Sequence, residues 1–275
     1  MRLPFRDPAR AGSLNFERRG RGEPLVLLHG IGGELCVWEP VLDGLAENMD
    51  VIAVDLPGFG RSAALPAETS PTPPALAQAV ARLLDELGLE SVHLAGNSLG
   101  GWVSLELGKT QRALSVTALC PAGLWGAPLR REGAPTRGRL QRIARTLRPV
   151  LPLLMLYPGA RRAALGHVVA DPDRVTRSAA RRMVTSYARA TAYDATNQAM
   201  LASNFSGAEL IRVPLTVAFG ELDRLIRPVG LRVPGARTVV LPGCGHIPMW
   251  DDPEAVTELI LATTSGRAPA VTQVA

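Results

Sequence analysis

Gly96-Asn-Ser-Leu-Gly100 places a serine between two glycines in the spacing G-x-S-x-G. A serine so placed can serve as a nucleophile on a sharp strand-to-helix turn, where strained backbone needs glycines on either side for strand and helix to approach. The pattern alone is weak, because 27 glycines supply it by chance in roughly one such sequence in ten. Its context gives it weight. The strand-like Ser91-Val-His-Leu-Ala95 runs directly into it, and a helical pattern from Leu99 to about Arg112 runs out.

A hydroxyl needs a base and an oriented acid to attack near neutral pH. Of the four histidines, His93 lies inside a strand, His29 opens a glycine loop and His167 lies in a helical stretch. His246 sits in Leu241-Pro-Gly-Cys-Gly-His-Ile-Pro248, beyond the last strand, where open α/β sheets place their chemistry. His246 is the expected base; His29 is expected to brace its own loop. Phe219-Gly-Glu-Leu-Asp-Arg224 supplies Asp223 as the acid, with Glu221 as its rival, in the order Ser…Asp…His. Cys120-Pro-Ala-Gly123, after an earlier strand, holds no carboxylate. Gly30, Gly32 and Gly33 free a backbone loop to turn amides toward a developing oxyanion. The amides of Ile31 and Leu99 are the expected donors, the second also at a helix N-terminus where negative charge is favoured. Losing one such donor costs about 10² to 10³ in rate. Gly30, Trp125 and Ile247 are the candidate substrate contacts. Trp102, Leu153 to Tyr157 and Trp250 could line the same pocket, although core packing is the simpler use of each.

The elements that must position these residues read as an α/β alternation. Leu25-Val-Leu-Leu28 and Val51-Ile-Ala-Val54 are continuous apolar runs, the pattern of strands buried on both faces. Leu114 to Leu119, Val213 to Phe219 and Thr238 to Leu241 add further strands, and Leu14 to Arg18 alternates. Ala75 to Leu87 is helical and stops at Gly88, while Asp252 and Pro253 mark the start of a last helix. Strands alternating with helices imply a mostly parallel, twisted sheet flanked by helices. From Pro121 to about Phe205 the alternation breaks, leaving only helical pattern. Residues 1–120 and 206–275 are thus expected to form the core and 121–205 a helical insertion.

The chain has 275 residues, 47% hydrophobic and 20% charged, the balance of a globular protein. No apolar run reaches the roughly 18 residues of a membrane span. Met1 to Pro8 lacks the apolar stretch of a secretory signal, so a cytoplasmic location is expected. Cys36, Cys120 and Cys244 are few and unclustered, which fits buried thiols rather than disulfides or a zinc site. Net charge is +5, yet fourteen arginines between Arg130 and Arg189 face only Glu132, Asp171 and Asp173. Such a block can mark nucleic acid or a membrane surface. Lys109 is the only lysine, so a coding bias toward arginine and a solvated helical face account for it more simply. Neither nucleic acid nor membrane is an expected partner, only a small-molecule substrate; monomer and homodimer both stay open.

Four landmarks together resemble the α/β-hydrolase family: His29-Gly30, Asp55-Leu-Pro-Gly-Phe-Gly-Arg-Ser62, Gly96-Asn-Ser-Leu-Gly-Gly101 and Gly243-Cys-Gly-His-Ile-Pro248. The resemblance runs from about Leu14 to Ala262. It implies a lid in the place of residues 121–205, with apolar lid residues walling a pocket over Ser98, and it implies that no cofactor and no metal is needed. The expected activity is hydrolysis of a small, hydrophobic carboxyl ester or related acyl compound through an acyl-enzyme. The elbow is also similar to that of meta-cleavage-product hydrolases, which cleave carbon–carbon bonds, but those enzymes usually carry an aromatic residue where this chain has Ile247. Haloalkane dehalogenases and epoxide hydrolases use an aspartate where this chain has Ser98. Non-hydrolytic members of the fold act as ligand receptors, lyases or cofactor-free oxygenases. Between Asp223 and His246 the spacing is shorter than usual for the family, as though a helix were cut down to residues 228–233.

Overall fold

The computed structural model describes residues 14–124, 136–226 and 233–267. Seven strands form one sheet: β1 (Phe16–Gly20), β2 (Pro24–Leu28), β3 (Asp50–Val54), β4 (Val92–Asn97), β5 (Ala113–Leu119), β6 (Leu215–Gly220) and β7 (Arg237–Leu241). Their order is β1-β3-β2-β4-β5-β6-β7. Only β1 is antiparallel to its neighbour β3; every other pairing is parallel.

The apolar runs do what their pattern requires. Side chains alternate across a strand, so Val26 and Leu28 join one hydrophobic layer and Leu25 and Leu27 the other. Ile52 and Val54 divide from Val51 and Ala53 in the same way. The first layer is closed by α2 (Pro73–Glu86) and α3 (Leu99–Gly108), through residues such as Leu76, Leu84, Trp102 and Val103. The second is closed by α1 (Glu39–Ala46) and α10 (Pro253–Thr264), through Leu42, Leu45, Leu259 and Ile260.

Local signals set most helix ends. The Thr72 hydroxyl accepts from Ala75 N at 3.3 Å, two prolines fill the first turn of α2, and Gly88 beyond its end takes φ +69°. The Asp252 carboxylate accepts from Ala255 N at 2.9 Å and caps α10, a contact worth roughly 1 kcal/mol. Helix α3 is shorter than its pattern predicts. It stops at Gly108, and the Thr110 hydroxyl then takes the carbonyl of Leu107 at 2.6 Å.

Between β5 and β6 lie α4 (Thr136–Thr146), α5 (Leu151–Leu154), α6 (Pro158–Leu165), α7 (Arg177–Arg189) and α8 (Tyr193–Leu201), and the described residues there include no strand. A short helix α9 (Pro248–Asp251), which the sequence pattern does not reveal, follows the histidine loop. No helix among the described residues is long and apolar enough to cross a membrane.

Candidate active site

Ser98 stands between the end of β4 and the first residue of α3, with φ 55° and ψ −114°. Among the described residues it shares a positive φ outside glycine only with Cys120. Such strain costs about 1–3 kcal/mol and persists where surroundings over-determine it. Here Ser98 N donates to Leu119 O (2.9 Å), and Ser98 O accepts from Trp102 N (3.1 Å) and Ala122 N (2.9 Å). The flanking glycines are sterically obligatory. A Cβ on Gly96 would lie 2.1 Å from Gly100 O, and one on Gly100 would lie 2.1 Å from Leu28 O. Across the gap, a Cβ on Gly30 would come within 3.2 Å of the Ser98 Cβ, so the loop after β2 presses directly on the elbow.

Asp223 and His246 meet although 23 residues apart. Asp223 follows β6, His246 follows β7, and parallel pairing of those strands brings both loops to one rim of the sheet. His246 Nδ1 donates to Asp223 Oδ2 at 2.8 Å, while Asp223 Oδ1 accepts from Leu225 N (2.7 Å) and Ile226 N (3.0 Å). Burial opposes ionisation of Asp223, but the hydrogen bond and charge of His246, helped by those two amides, outweigh it and hold the carboxyl below its ordinary range. An ionised carboxylate only accepts, so His246 Nδ1 carries the proton of this bond. The rival Glu221 is exposed and accepts from Gly243 N at 2.8 Å, bracing the histidine loop instead. Asn97 ties that loop to the elbow: its Nδ2 donates to His246 O (2.8 Å) and Leu119 O (3.2 Å). Among the described residues no hydrogen bond joins Ser98 Oγ to His246. Residues 98, 223 and 246 are all buried.

His29 braces, as expected from its place. Its Nδ1 donates to Gly30 O (2.8 Å) and its Nε2 accepts from Leu56 N (2.9 Å). Burial lowers its pKa against the pull of Asp55, so the ring stays neutral. Asp55 in turn accepts from Leu35 N, Asn15 Nδ2 and Arg61 N at 2.7–2.9 Å, clamping the Asp55–Ser62 loop. Gly33 N donates to Gly30 O at 3.0 Å, closing the turn that presents Ile31. The amides of Ile31 and of Leu99, first residue of α3, have no acceptor among the described residues.

Two residues near the site carry more than their sequence suggests. Asp251 accepts from Gly245 N (2.8 Å), Ala170 N (2.9 Å) and Asp171 N (3.1 Å), so one buried carboxylate joins the histidine loop to the helical segment. Ile247 N adds a bond to Val168 O at 2.9 Å, which places Ile247 on that seam. Cys120 is buried, and its sulfur lies within 4.8 Å of an Asp223 oxygen and a His246 nitrogen. Those three are the one group of metal-ligand type among the described residues. Zinc ligands at the usual bond lengths stand about 3.4 Å apart, whereas the Asp223–His246 pair is closed to hydrogen-bond distance. Burial also raises the Cys120 thiol well above its ordinary value and pushes Cys244 up to about 12, so both stay protonated. Asn97 adjoins the elbow, Asp251 follows the histidine loop and Cys120 directly follows β5, but nothing in their sequence surroundings shows which groups they meet.

Of the remaining candidates, Trp102 is buried in the core and its Nε1 donates to Glu106 Oε1 at 3.0 Å. Trp250 Nε1 donates to Val37 O at 3.0 Å. From Leu153 to Tyr157 only Met155 is buried; the other four are exposed. Trp125 and most of residues 228–233 lie outside the described residues. A cleft of about 550 Å³ between 166–170 and 221–224 reaches Asp223, without Ser98 or His246 among its walls.

Residues 25–259 match the model of the alpha/beta hydrolase family. The chain is 36% identical over 203 residues to the epoxide hydrolase EphH of Mycobacterium tuberculosis, covering 67% of this chain and 91% of that protein. It is 30% identical over 262 residues to a pimeloyl-[acyl-carrier protein] methyl ester esterase of Aeromonas hydrophila, covering 90% and 98%. The enol-lactonase of Burkholderia xenovorans LB400 superimposes with a TM-score of 0.73 at 23% identity, covering 92% and 96%, a likeness of fold.

Proposed function

Since the chain belongs to the α/β-hydrolase family and is a hydrolase, we propose that Ser98, His246 and Asp223 form a catalytic triad that cleaves a small, hydrophobic carboxyl ester or related acyl compound. The 2.8 Å bond from His246 Nδ1 to Asp223 Oδ2, beside a serine in nucleophile-elbow geometry, carries this reading.

Ser98 Oγ attacks the acyl carbon while His246 Nε2 takes its proton. Asp223 holds the ring in the Nδ1–H tautomer and stabilises the imidazolium that forms. The Ile31 and Leu99 amides receive the oxyanion. Collapse returns the proton to the departing alcohol and leaves Ser98 acylated; a water activated by His246 then attacks, releasing the acid and the free serine. Hydroxyl and imidazole come together as substrate binds, since catalytic hydrogen bonds are often loose in the free enzyme. Residues 121–205 act as the lid, with Gly30, Trp125 and Ile247 touching substrate. No step needs a metal or cofactor.

The relative named as an epoxide hydrolase does not lend that activity to this site. A serine alkoxide opening an epoxide would leave an ether on the enzyme, which water does not cleave, whereas an acyl-serine is readily hydrolysed. Carbon–carbon bond hydrolysis is the second reading, favoured by the Gly96–Gly101 elbow and disfavoured by Ile247. Labelling with a fluorophosphonate, followed by p-nitrophenyl esters of rising chain length beside a dienoate ketone and an epoxide, tests all of these. Labelling lost in Ser98→Ala with ester turnover is the expected result. No labelling, or epoxide turnover alone, overturns it.

A further inference from the structure

Exposed large apolar side chains are distributed unevenly. Eight of the ten among the described residues fall between Leu140 and Tyr157; the other two are Leu210 and Leu222. Leu153 is 60% exposed and Tyr157 66%. The same stretch lies in a block without acids, from Glu132 to Asp171, that carries seven arginines. Arg142, Arg145 and Arg148 are exposed alongside the apolar residues. The opposite side of this stretch is held down. Gln141 is buried and donates to Ala190 O at 3.2 Å, Met155 is buried, and Arg161 donates to Met155 O at 3.2 Å. Helices α4 and α5 pack on α7, whose Tyr187 abuts Gly32 beside the elbow.

We propose that the α4–α5 face docks on an anionic lipid surface, laying its leucines and Tyr157 into the headgroup boundary. Soluble monomers rarely expose so concentrated an apolar patch without a partner. Arginines that border it can bury their stems and keep their heads at the phosphate level. A second copy of this chain fits poorly as the cover, because bringing two such faces together opposes arginine to arginine with no acid in the segment to relieve them. A lipid layer supplies both fluid apolar matter and negative charge, and needs no spanning helix. A solvated arginine face, the simpler expectation from charge alone, does not account for the exposed leucines that border it.

Flotation of the full chain with vesicles tests this, comparing phosphatidylglycerol-containing with pure phosphatidylcholine membranes. The expected result is strong binding to the first and weak binding to the second. Leu153→Ser with Tyr157→Ser should weaken the binding by about tenfold to a hundredfold. Arg145→Gln with Arg148→Gln should weaken it by about tenfold or more on anionic vesicles alone. An unchanged thermal midpoint in both variants shows that the fold is intact. Three outcomes overturn the proposal: no binding to anionic vesicles, undiminished binding by the serine variant (charge acting alone, as double-stranded DNA retention would also reveal), or a homodimer that the serine variant dissociates without vesicle binding.

Discussion

The sheet and the helical segment between β5 and β6 solve the same problem by different means. In β3 and β4 every residue is buried, and both faces of the strands meet helices through interdigitated apolar layers. The helical segment has only a small core of its own, built around Met155, Leu165, Val169 and Val184, and leaves much of α4 and α5 exposed. It is joined to the sheet domain by the Asp251 carboxylate and the Ile247–Val168 bond, and by Ala190, Tyr193 and Met200, which are buried in the first hydrophobic layer of the sheet. A sheet half that fixes distances is therefore joined to the helical half both by a polar seam at Asp251 and by shared apolar packing. The candidate site residues Ser98, Asp223 and His246 all stand on the first.

The sharpest test of that division is Ser98→Ala. It should lower ester turnover by roughly a millionfold and leave the unfolding midpoint almost unchanged, since function and stability rest on different atoms there. Next come paired glycine substitutions, one in each half. Gly100→Ala forces a Cβ against Leu28 O and should cost about 4 kcal/mol or more. Gly159→Ala in α6, with nothing within 4 Å of the new atom, should be neutral or stabilise by up to about 1 kcal/mol. Equal urea midpoints for the two would erase the contrast.

The seam itself is open to Asp251→Ala, which strips three backbone amides of their acceptor and should cost about 2–4 kcal/mol. Because Gly245 adjoins His246, turnover should also fall by about tenfold to a hundredfold. Asp251→Asn keeps one acceptor and should recover part of both. Hydrogen exchange at 168–175 should quicken in the alanine variant; protection as strong as in the parent would mean the segment is held elsewhere. The smallest effect is on pH. Burial keeps folded His29 neutral where the unfolded imidazole takes up a proton, and His93 adds the same sign. Stability from this source is complete above about pH 6.5 and declines as pH falls below it. His29→Gln should flatten that slope while Asp223, whose lowered carboxyl acts only at more acid pH, leaves it alone. A thermal midpoint flat from pH 7 to 5 would contradict the neutral ring.

Much of the sheet was legible because strands buried on both faces need unbroken apolar runs, and Leu25–Leu28 and Val51–Val54 offer little else to become. The Asp252 cap of α10 was legible for a similarly local reason. The α3 end was not, since the Thr110 hydroxyl competing for Leu107 O leaves no mark that a period can detect. Asp251 reads as one more acid before a capping aspartate; its role depends on amides that lie some eighty residues earlier. Nor does periodicity separate Met155, which is buried, from Leu153 and Leu156, which are not.

From the sequence alone came the chemical types and the local shapes: a serine between glycines that tolerate no Cβ, an imidazole and two carboxylates on loops beyond strands, a helical stretch dense in arginine. Each rests on interactions among near neighbours along the chain. Tertiary structure decided the rest. Parallel pairing of β6 with β7 selected Asp223 over Glu221 as the partner of His246, and packing on α7 decided which leucines of the helical segment face outward. Those choices depend on register between segments far apart in sequence, where no local propensity acts.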